Sequence, residues 1–333
     1  MSWNKYEWIK AFHQNPDLIL PLCPFPFIKL TGGTVEEALK SSEKQVEVFR
    51  LMDEHPQMGA VVTFMDLSIE AEQFGSPIRF SDIEAPSVER PIIDEESSLD
   101  ELHPEVKSKR MLTNIDAIRK AATELKKPII AGAIGPFSLA GRLMELSELM
   151  IQCFIDPDRV HQLIKTVTEL ILSYIKELKK AGAKGVIMAE PAAGLLDPDS
   201  FSKFSNHYVR KICDEVCSEE FLFIYHNCGP IMPLLSEIVQ IKADGFHFGN
   251  AVELDKVIVS VPKDRLVLGN IDPVGVLNKM NSAEIKEQTK ILLKKMEKYP
   301  NYICSTGCDV PFYTPIENIN ALFEAVVEYN EYN

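Results

Sequence analysis

The sequence has no apolar stretch long enough to cross a membrane, and its first residues mix charges with aromatics and have no apolar signal-peptide core. We therefore expect a cytoplasmic protein. Basic residues are also scarce, since 35 Lys and Arg stand against 49 Asp and Glu and the net charge is −14. Nucleic acids are bound through clustered basic residues, and none are seen. The composition thus argues against nucleic-acid and membrane partners.

Cysteines are few for a chain of 333 residues, and their number, seven, is odd. They are scattered, whereas disulfide frameworks belong to short secreted chains, so we expect free thiols, metal ligands or catalytic groups. The chain also lacks a Gly-x-Gly-x-x-Gly turn after its first predicted strand. That absence disfavours a doubly wound dinucleotide-binding sheet, which is the structural alternative to the fold predicted below.

Short apolar runs alternate with longer stretches of helical periodicity along most of the chain. Fully apolar strands separated by helices are typical of a parallel sheet covered by helices, and eight such units predict a closed (β/α)8 TIM barrel. We expect a single domain over residues 1–333. The eight predicted strands are 18–22, 59–65, 128–134, 185–189, 221–225, 245–248, 265–269 and 302–305.

Two segments lie outside this alternation. Residues 4–13 have apolar side chains at helical spacing, which predicts an amphipathic N-terminal helix laid over the main body. Residues 70–109 contain Phe74-Gly75-Ser76-Pro77 and an acidic run, which interrupt the pattern after the second strand. A long excursion from a compact barrel indicates a lid or a binding loop at the rim.

In a (β/α)8 barrel the carboxyl ends of all strands meet on one face, where the chemistry takes place. Two of these predicted ends carry soft metal ligands. His226 and Cys228 follow strand five and Cys308 follows strand eight. One imidazole and two thiolates suit a zinc ion and leave its fourth position open. The alternative is that these cysteines are buried without a ligand, as we expect for Cys213, Cys217 and Cys304.

Other polar residues lie at the same predicted face. We expect Asp66 and Glu190 to be catalytic, although carboxylates in these positions also cap helices and form turns. His247 could instead be a hydrogen-bonded interior histidine or a residue that orients a ligand. The residues expected to contact substrate are Glu70, Asn250, Asp272, Cys23 and His247.

Four motifs together resemble the uroporphyrinogen decarboxylase superfamily. They are the His226-x-Cys228 pair with distant Cys308, the turn Gly135-Pro136-Phe137-Ser138-Leu139-Ala140-Gly141, the segment Asp66-Leu67-x-x-Glu70-Ala71, and Gly269-Asn270-Ile271-Asp272-Pro273. Within the superfamily they resemble the corrinoid-dependent methyltransferases typified by methylcobamide:coenzyme M methyltransferase. The resemblance implies that zinc activates a thiol, such as coenzyme M, for methyl transfer to or from a corrinoid.

Two departures qualify this resemblance. The decarboxylases carry an arginine-rich signature near the first strand, whereas residues 22–29 here contain no arginine, and an octa-acidic substrate needs such cations. Decarboxylation is therefore the alternative. The chain also has no Asp-x-His-x-x-Gly corrinoid motif, so the corrinoid (methylcobalamin) should arrive on a separate protein.

Two other hypotheses about the function are compatible with the sequence. Transfer could start from a methylated small molecule, such as a methoxyarene or methylamine, with the corrinoid as acceptor. The chain could also be a non-catalytic adaptor that docks a corrinoid protein, and in that case four protein ligands should fill the metal site.

Overall fold

The computed structural model describes residues 3–94 and 96–331. Seven parallel strands form one curled sheet in the order β1-β4-β5-β6-β7-β8-β9, and β2 and β3 form a separate antiparallel pair. The strands are β1 (Val61–Val62), β2 (Ile78–Arg79), β3 (Ser87–Val88), β4 (Ile129–Ile134), β5 (Gly185–Ala189), β6 (Leu222–Asn227), β7 (Gly245–Phe248), β8 (Leu266–Ile271) and β9 (Tyr302–Thr306).

The full eight-stranded barrel is not confirmed, because the first predicted strand, 18–22, is not a regular strand. This extended segment lies between the two edges of the sheet. Leu20 N donates to Cys304 O of β9 (3.0 Å), and Ile19 N donates to a carbonyl just before β1 (2.9 Å). Pro21 has no N–H to continue either ladder. The described residues therefore form a seven-stranded curled sheet whose gap is bridged by a few hydrogen bonds, which include an isolated parallel bridge between Ile19 and Met58.

Helices follow most strands, as the periodicity predicts. Residues 35–54 form two consecutive helices, because the Ser41 hydroxyl accepts from Lys44 N (3.3 Å) and starts the second one. The helices are α1 (Lys5–Gln14), α2 (Pro24–Phe27), α3 (Val35–Leu39), α4 (Ser42–Glu54), α5 (Ile69–Gln73), α6 (Lys109–Glu124), α7 (Pro136–Met144), α8 (Leu146–Ile155), α9 (Pro157–Ala181), α10 (Pro198–Phe201), α11 (His207–Val216), α12 (Leu235–Ile238), α13 (Leu254–Ile258), α14 (Ser282–Met296) and α15 (Ile316–Glu331).

Shorter turns connect these helices. A π-helical turn, Ser202–Asn206, joins α10 to α11, and such turns are frequent at functional sites. The 3₁₀ turns are Ile28–Thr31, Leu99–Glu101, Ala192–Leu195 and Met232–Leu234. Among the described residues, no helix is both long and apolar enough to span a membrane.

The sheet separates two buried apolar clusters. The larger cluster lies between the strands and the surrounding helices. The smaller one lies inside the curl and takes side chains from the strands and from Leu20 and Leu22. Helix α1 closes this inner cluster with Trp8, whose indole N–H donates to Gly59 O (2.8 Å). A Cβ on Gly59 would lie 2.1 Å from the Phe12 ring, so this close packing requires glycine.

The excursion over residues 70–109 is tied to the main body at both ends. It begins within α5, forms the β2–β3 hairpin, and then returns over α7, where Ile92 and Ile93 donate their N–H groups to Leu143 O (2.8 and 2.9 Å). At its far end Gln73 Oε1 accepts from Lys107 N and Ser108 N. Its predicted role as a lid stays a prediction.

Candidate metal centre

The end of β6 is shaped to present His226 and Cys228. Asn227, the last residue of the strand, is fully buried and its side chain forms a turn with Gly229 N, which donates to Oδ1 (2.8 Å). Its amide donates to Glu190 O (2.6 Å). The strand thus ends at Asn227, one residue after His226, and Cys228 stands in a turn that Asn227 holds in place.

Two glycines allow the backbone to close around this turn. A Cβ on Gly249, after β7, would lie 2.5 Å from Cys228 Cα, and a Cβ on Gly307, after β9, would lie 2.8 Å from Asn250 N. Only glycine permits these approaches without a shift of the backbone. Gly307 immediately precedes Cys308, so both cysteine turns depend on such a contact.

The three predicted metal ligands meet at one point. Their ligand atoms all lie within 4.8 Å of one another, and Cys308 Sγ is 3.8 Å from His226 Nε2. Zn–N and Zn–S bonds of about 2.0–2.3 Å at tetrahedral angles place such atoms roughly 3.5–3.8 Å apart. The donor set and its spacing therefore fit a zinc ion. In the described part of the chain, no fourth His, Cys, Asp or Glu joins this group.

The two thiols strongly affect each other. A hydrogen bond from the neighbouring Cys308 thiol lowers the pKa of Cys228, while the proximity of Cys228 raises the pKa of Cys308. The first proton therefore leaves the metal-free pair more readily than the second. Metal binding would release the remaining proton, because metal ligands must be deprotonated.

A chain of hydrogen bonds behind His226 determines which of its nitrogens faces the sulfurs. Ser305 Oγ donates to Leu20 O (2.6 Å), so it accepts from His247 Nε2 (2.9 Å). Burial holds the pKa of His247 well below its usual value, and its other nitrogen, Nδ1, is therefore an acceptor. His247 Nδ1 accepts a hydrogen bond from the N–H of His226 Nδ1 (2.8 Å). His226 Nε2 is left with a lone pair toward Cys308, as metal binding requires.

His247 was predicted to contact substrate, but it lies fully buried behind His226. Ser305 and Asn227 support the metal ligands but are not among the site residues predicted from the sequence. A signal for Ser305 was available, because it is the first hydroxyl residue after the apolar run Ile303-Cys304 and lies close before Cys308. Asn227 stands between the two ligands of the His-x-Cys motif, where a turn-forming side chain is expected.

Asp66 is held in a buried ion pair. Its carboxylate contacts the guanidinium of Arg110 and accepts from Ser68 N (3.1 Å) and Ser68 Oγ (2.6 Å). Arg110 also pairs with Glu72 (2.8 Å). This arrangement satisfies Asp66 within the protein, and its catalytic role stays a prediction.

Glu70 is buried next to this pair. One oxygen accepts from Ile134 N at the end of β4 (3.1 Å), and the other oxygen, Oε2, has no hydrogen-bond partner among the described residues. Burial raises the pKa of Glu70 to about 7. The Arg142 guanidinium is close enough to favour the charged form of Glu70, but burial remains the larger influence.

Glu190 caps the start of α7. Its carboxylate accepts from Phe137 N (2.8 Å), Ser138 N (2.9 Å) and Ser205 Oγ (3.0 Å), the last of which lies in the π-helical turn. Both oxygens are therefore used where the helix dipole favours a negative charge. Burial nevertheless raises the pKa of this carboxyl. Its catalytic role, too, stays a prediction.

Of the three remaining residues predicted to contact substrate, Cys23 and Asp272 lie in structural positions and Asn250 does not. Cys23 is fully buried, which raises its pKa and makes it a poor nucleophile. Asp272 Oδ1 accepts from Val274 N (2.9 Å) and Gly275 N (2.7 Å), which makes it a turn former. Asn250 is exposed beside Gly307 and is the only one of these three at the metal-ligand turns.

The comparison with known families identifies the class of protein. The model for "Uroporphyrinogen decarboxylase (URO-D)" matches residues 28–329, so the chain belongs to this family. The family resemblance drawn from the sequence motifs is thereby confirmed.

Relatives within the family carry two kinds of activity. A uroporphyrinogen decarboxylase from Carboxydothermus hydrogenoformans is 27% identical over 88% of this chain and 85% of its own length. The methylcobamide:CoM methyltransferase MtbA from Methanosarcina acetivorans is 25% identical over 91% and 89%. A solved methyltransferase from Methanosarcina mazei has the same fold, with a TM-score of 0.81 and 22% identity over 94% of each chain.

Proposed function

We propose that the protein is a zinc-dependent methyltransferase that moves a methyl group between a corrinoid, carried by a separate protein, and a small thiol. The observation that carries this proposal is the convergence of His226, Cys228 and Cys308 within 4.8 Å. The similarity to methylcobamide:CoM methyltransferases supports the same reaction class.

A zinc ion held by these three residues would supply a Lewis acid that makes the substrate thiol a thiolate at neutral pH. The protein itself would hold His226 in the required tautomer through His247 and Ser305. The Asn227 turn would keep Cys228 beside Cys308. In the overall reaction a carbon–sulfur bond forms while the cobalt–carbon bond breaks, and cobalt keeps the electron pair.

The number of protein ligands supports an enzyme rather than an adaptor. Structural zinc sites are normally closed by four protein ligands, whereas catalytic sites keep a position for water or substrate. The described residues provide three such groups at this point. The fourth position is therefore free for the thiol in this proposal.

Decarboxylation is the second candidate, because decarboxylases are similar to this chain at comparable identity. The segment 22–29, where those enzymes carry arginines in the motif described above, reads Leu-Cys-Pro-Phe-Pro-Phe-Ile-Lys. In the structure, Cys23, Phe25 and Phe27 of this segment are buried. An apolar, arginine-free segment is poorly suited to a substrate with many carboxylates.

Elemental analysis of the purified protein, followed by assays with free methylcobalamin and a panel of thiols, tests this proposal. We expect about one zinc per chain and formation of a methyl thioether. The same preparation should be assayed with uroporphyrinogen and, in the reverse direction, with methylated amines and methoxyarenes plus Co(I) corrinoid. Metal-independent conversion of the porphyrinogen would replace the methyltransferase proposal with decarboxylation.

A further inference from the structure

Two further thiols meet where α11 ends and the chain turns into β6. The sulfur atoms of Cys213 and Cys217 are 3.2 Å apart. Cys213 lies in the last turn of the helix, and Cys217 is the residue that directly follows it. This pair precedes β6, whereas His226 and Cys228 lie at the carboxyl end of that strand. The pair is therefore separate from the candidate metal centre.

The backbone at this pair already has a spacing that a disulfide can join. Cys217 N donates to Cys213 O (3.0 Å), as in a regular helical turn, and such a turn places the two Cα atoms roughly 6 Å apart. Disulfides connect Cα atoms that are about 4.4–6.8 Å apart, with a sulfur–sulfur bond of about 2.0 Å. The two sulfurs therefore need to approach each other by only about 1 Å.

The two thiols differ in exposure and in their charged surroundings. Cys213 is buried, and its hydrogen bond with Cys217 raises its pKa, so Cys213 keeps its proton. Cys217 is half-buried. The Lys179 ammonium donates to the residues on either side of it, to Val216 O (3.1 Å) and Ser218 Oγ (3.2 Å). A nearby cation favours the thiolate, which is the form that oxidants attack.

The other cysteines are less available to an oxidant. All seven lie within the described ranges, and among them only Cys217, Cys228 and Cys308 are not buried. Cys228 and Cys308 are the proposed metal ligands, so a bound ion would occupy their sulfurs. Cys217 is then the accessible thiol that remains, and it has a second thiol in contact with it.

From this geometry we infer that Cys213 and Cys217 form a reversible disulfide when the protein reacts with a hydroperoxide. The Cys217 thiolate attacks the peroxide, so that a sulfur–oxygen bond forms, the oxygen–oxygen bond breaks, and the departing hydroxide takes a proton to become water. The Cys213 sulfur then attacks Cys217, the sulfur–oxygen bond breaks, and a second water leaves with the Cys213 proton. The two thiols lose two electrons, which the peroxide gains. This inference does not rest on the proposed function.

Peptide mapping of the purified chain after treatment with hydrogen peroxide tests this inference. Unreacted thiols are alkylated, and the chain is cleaved after glutamates without a reductant. Cleavage at Glu215 separates Cys213 from Cys217, and cleavage at Glu219 separates Cys217 from Cys228. We expect the first two peptides to be joined in a disulfide that dithiothreitol opens. Because each cysteine is identified separately, the result can be read with or without zinc in the protein.

Two substitutions distinguish the thiol that reacts first from the thiol that closes the bond. Cys213→Ser should leave Cys217 as a sulfenic acid that dimedone traps. Cys217→Ser should lower the reactivity of Cys213 toward peroxide at least about tenfold, because Cys213 is buried. Cys153→Ser is the control, since it removes a buried thiol from α8 and should leave the disulfide unchanged. Circular dichroism verifies that each variant is folded.

The role of Lys179 is tested by the rate at which the disulfide forms. Lys179→Gln should slow this step about three- to tenfold, and Lys179→Arg, which keeps the positive charge, should restore the rate. Lys180→Gln is the matched control on the same helix, because the Lys180 side chain is 79% exposed. An unchanged rate in Lys179→Gln would show that the ammonium does not activate Cys217.

Three results would overturn the inference. Both thiols could stay reduced at peroxide concentrations that oxidise free cysteine. Cys217 could be oxidised to the sulfinic acid while Cys213 keeps its thiol. Cys217 could also form its disulfide with a cysteine other than Cys213. Any of these would show that the pair is a packed part of the core and not a modification site.

Discussion

The two halves of the rim treat their polar groups in opposite ways. After β6 and β9, the ligand atoms of His226, Cys228 and Cys308 lie within 4.8 Å of one another, as the ligands of one ion would. After β1 and β5, Asp66 and Glu190 are matched by an arginine and by helix amides. Donor groups that the protein leaves for an ion are candidates for chemistry, whereas groups satisfied internally maintain the structure.

The largest effect should come from removing one of the proposed metal ligands. Cys308→Ala removes one of three ligands, and we expect stoichiometric zinc to be lost and methyl transfer to fall by more than about 100-fold, since even residues behind the ligands cost 10–100-fold. Elemental analysis and the methylcobalamin assay measure both. Cys213→Ala is the control, because Cys213 is buried against Cys217 (Sγ to Sγ 3.2 Å) outside the centre. Zinc retained at full occupancy by Cys308→Ala would contradict the proposed ligand set.

Substitution of Glu190, one of the internally satisfied carboxylates, should lower the free energy of unfolding and leave metal binding intact. Glu190→Ala leaves two backbone amides of α7 and the Ser205 hydroxyl without an acceptor, and we expect a loss of about 3–5 kcal/mol in the free energy of unfolding, measured with urea. Zinc content of the folded fraction should be unchanged. Unaltered stability with a large fall in kcat would show instead that Glu190 takes part in the reaction.

Glu70 should make stability depend on pH. Its pKa is raised from 4.5 to about 7 in the folded chain, so the folded state holds the proton more tightly and stability falls as pH rises between these values. Glu70→Gln retains an oxygen for Ile134 N and should remove this decrease, which amounts to up to about 3 kcal/mol above pH 7. Urea unfolding from pH 4 to 8 measures it. Parallel pH curves for the two proteins would show that Glu70 is not protonated in the fold.

The smallest effect should follow from loosening the hydrogen bonds behind His226. Ser305→Ala removes the acceptor of His247 Nε2, and we expect zinc affinity to fall about 10–100-fold, measured by chelator competition. Thr306→Val is the matched control, since its hydroxyl accepts from Leu22 N (3.0 Å) and not from an imidazole. Nitrogen chemical shifts of the metal-free protein should also show His226 losing its preference for the Nδ1–H tautomer. Equal zinc affinity in the two variants would show that the Ser305 hydroxyl does not support the metal ligands.

Local pattern was sufficient for the strands of the large sheet, for most helices and for a group of residues that the structure brings together as a possible metal site. Apolar runs that end in Gly, Pro or a polar residue predicted β4 to β9, and the chemistry of imidazole and thiol pointed to His226, Cys228 and Cys308. These features are readable because they depend on residue type and on spacing within one element. The motif-based family resemblance is confirmed by the family model. The single-domain organisation remains a prediction.

The roles of the buried carboxylates and the structure of residues 18–22 depend on partners from distant parts of the chain. Nothing near Asp66 in the sequence reveals Arg110, and nothing near Glu190 reveals the amides of α7, yet these contacts occupy both carboxylates. Pro21 was visible, but whether 18–22 forms a strand depends on what lies on either side of it. Composition and periodicity were thus enough to predict the parallel sheet and the residues that could bind a metal. Which charges remain free for a ligand is set by long-range packing, because neutralisation depends on distance in space and not on separation along the chain.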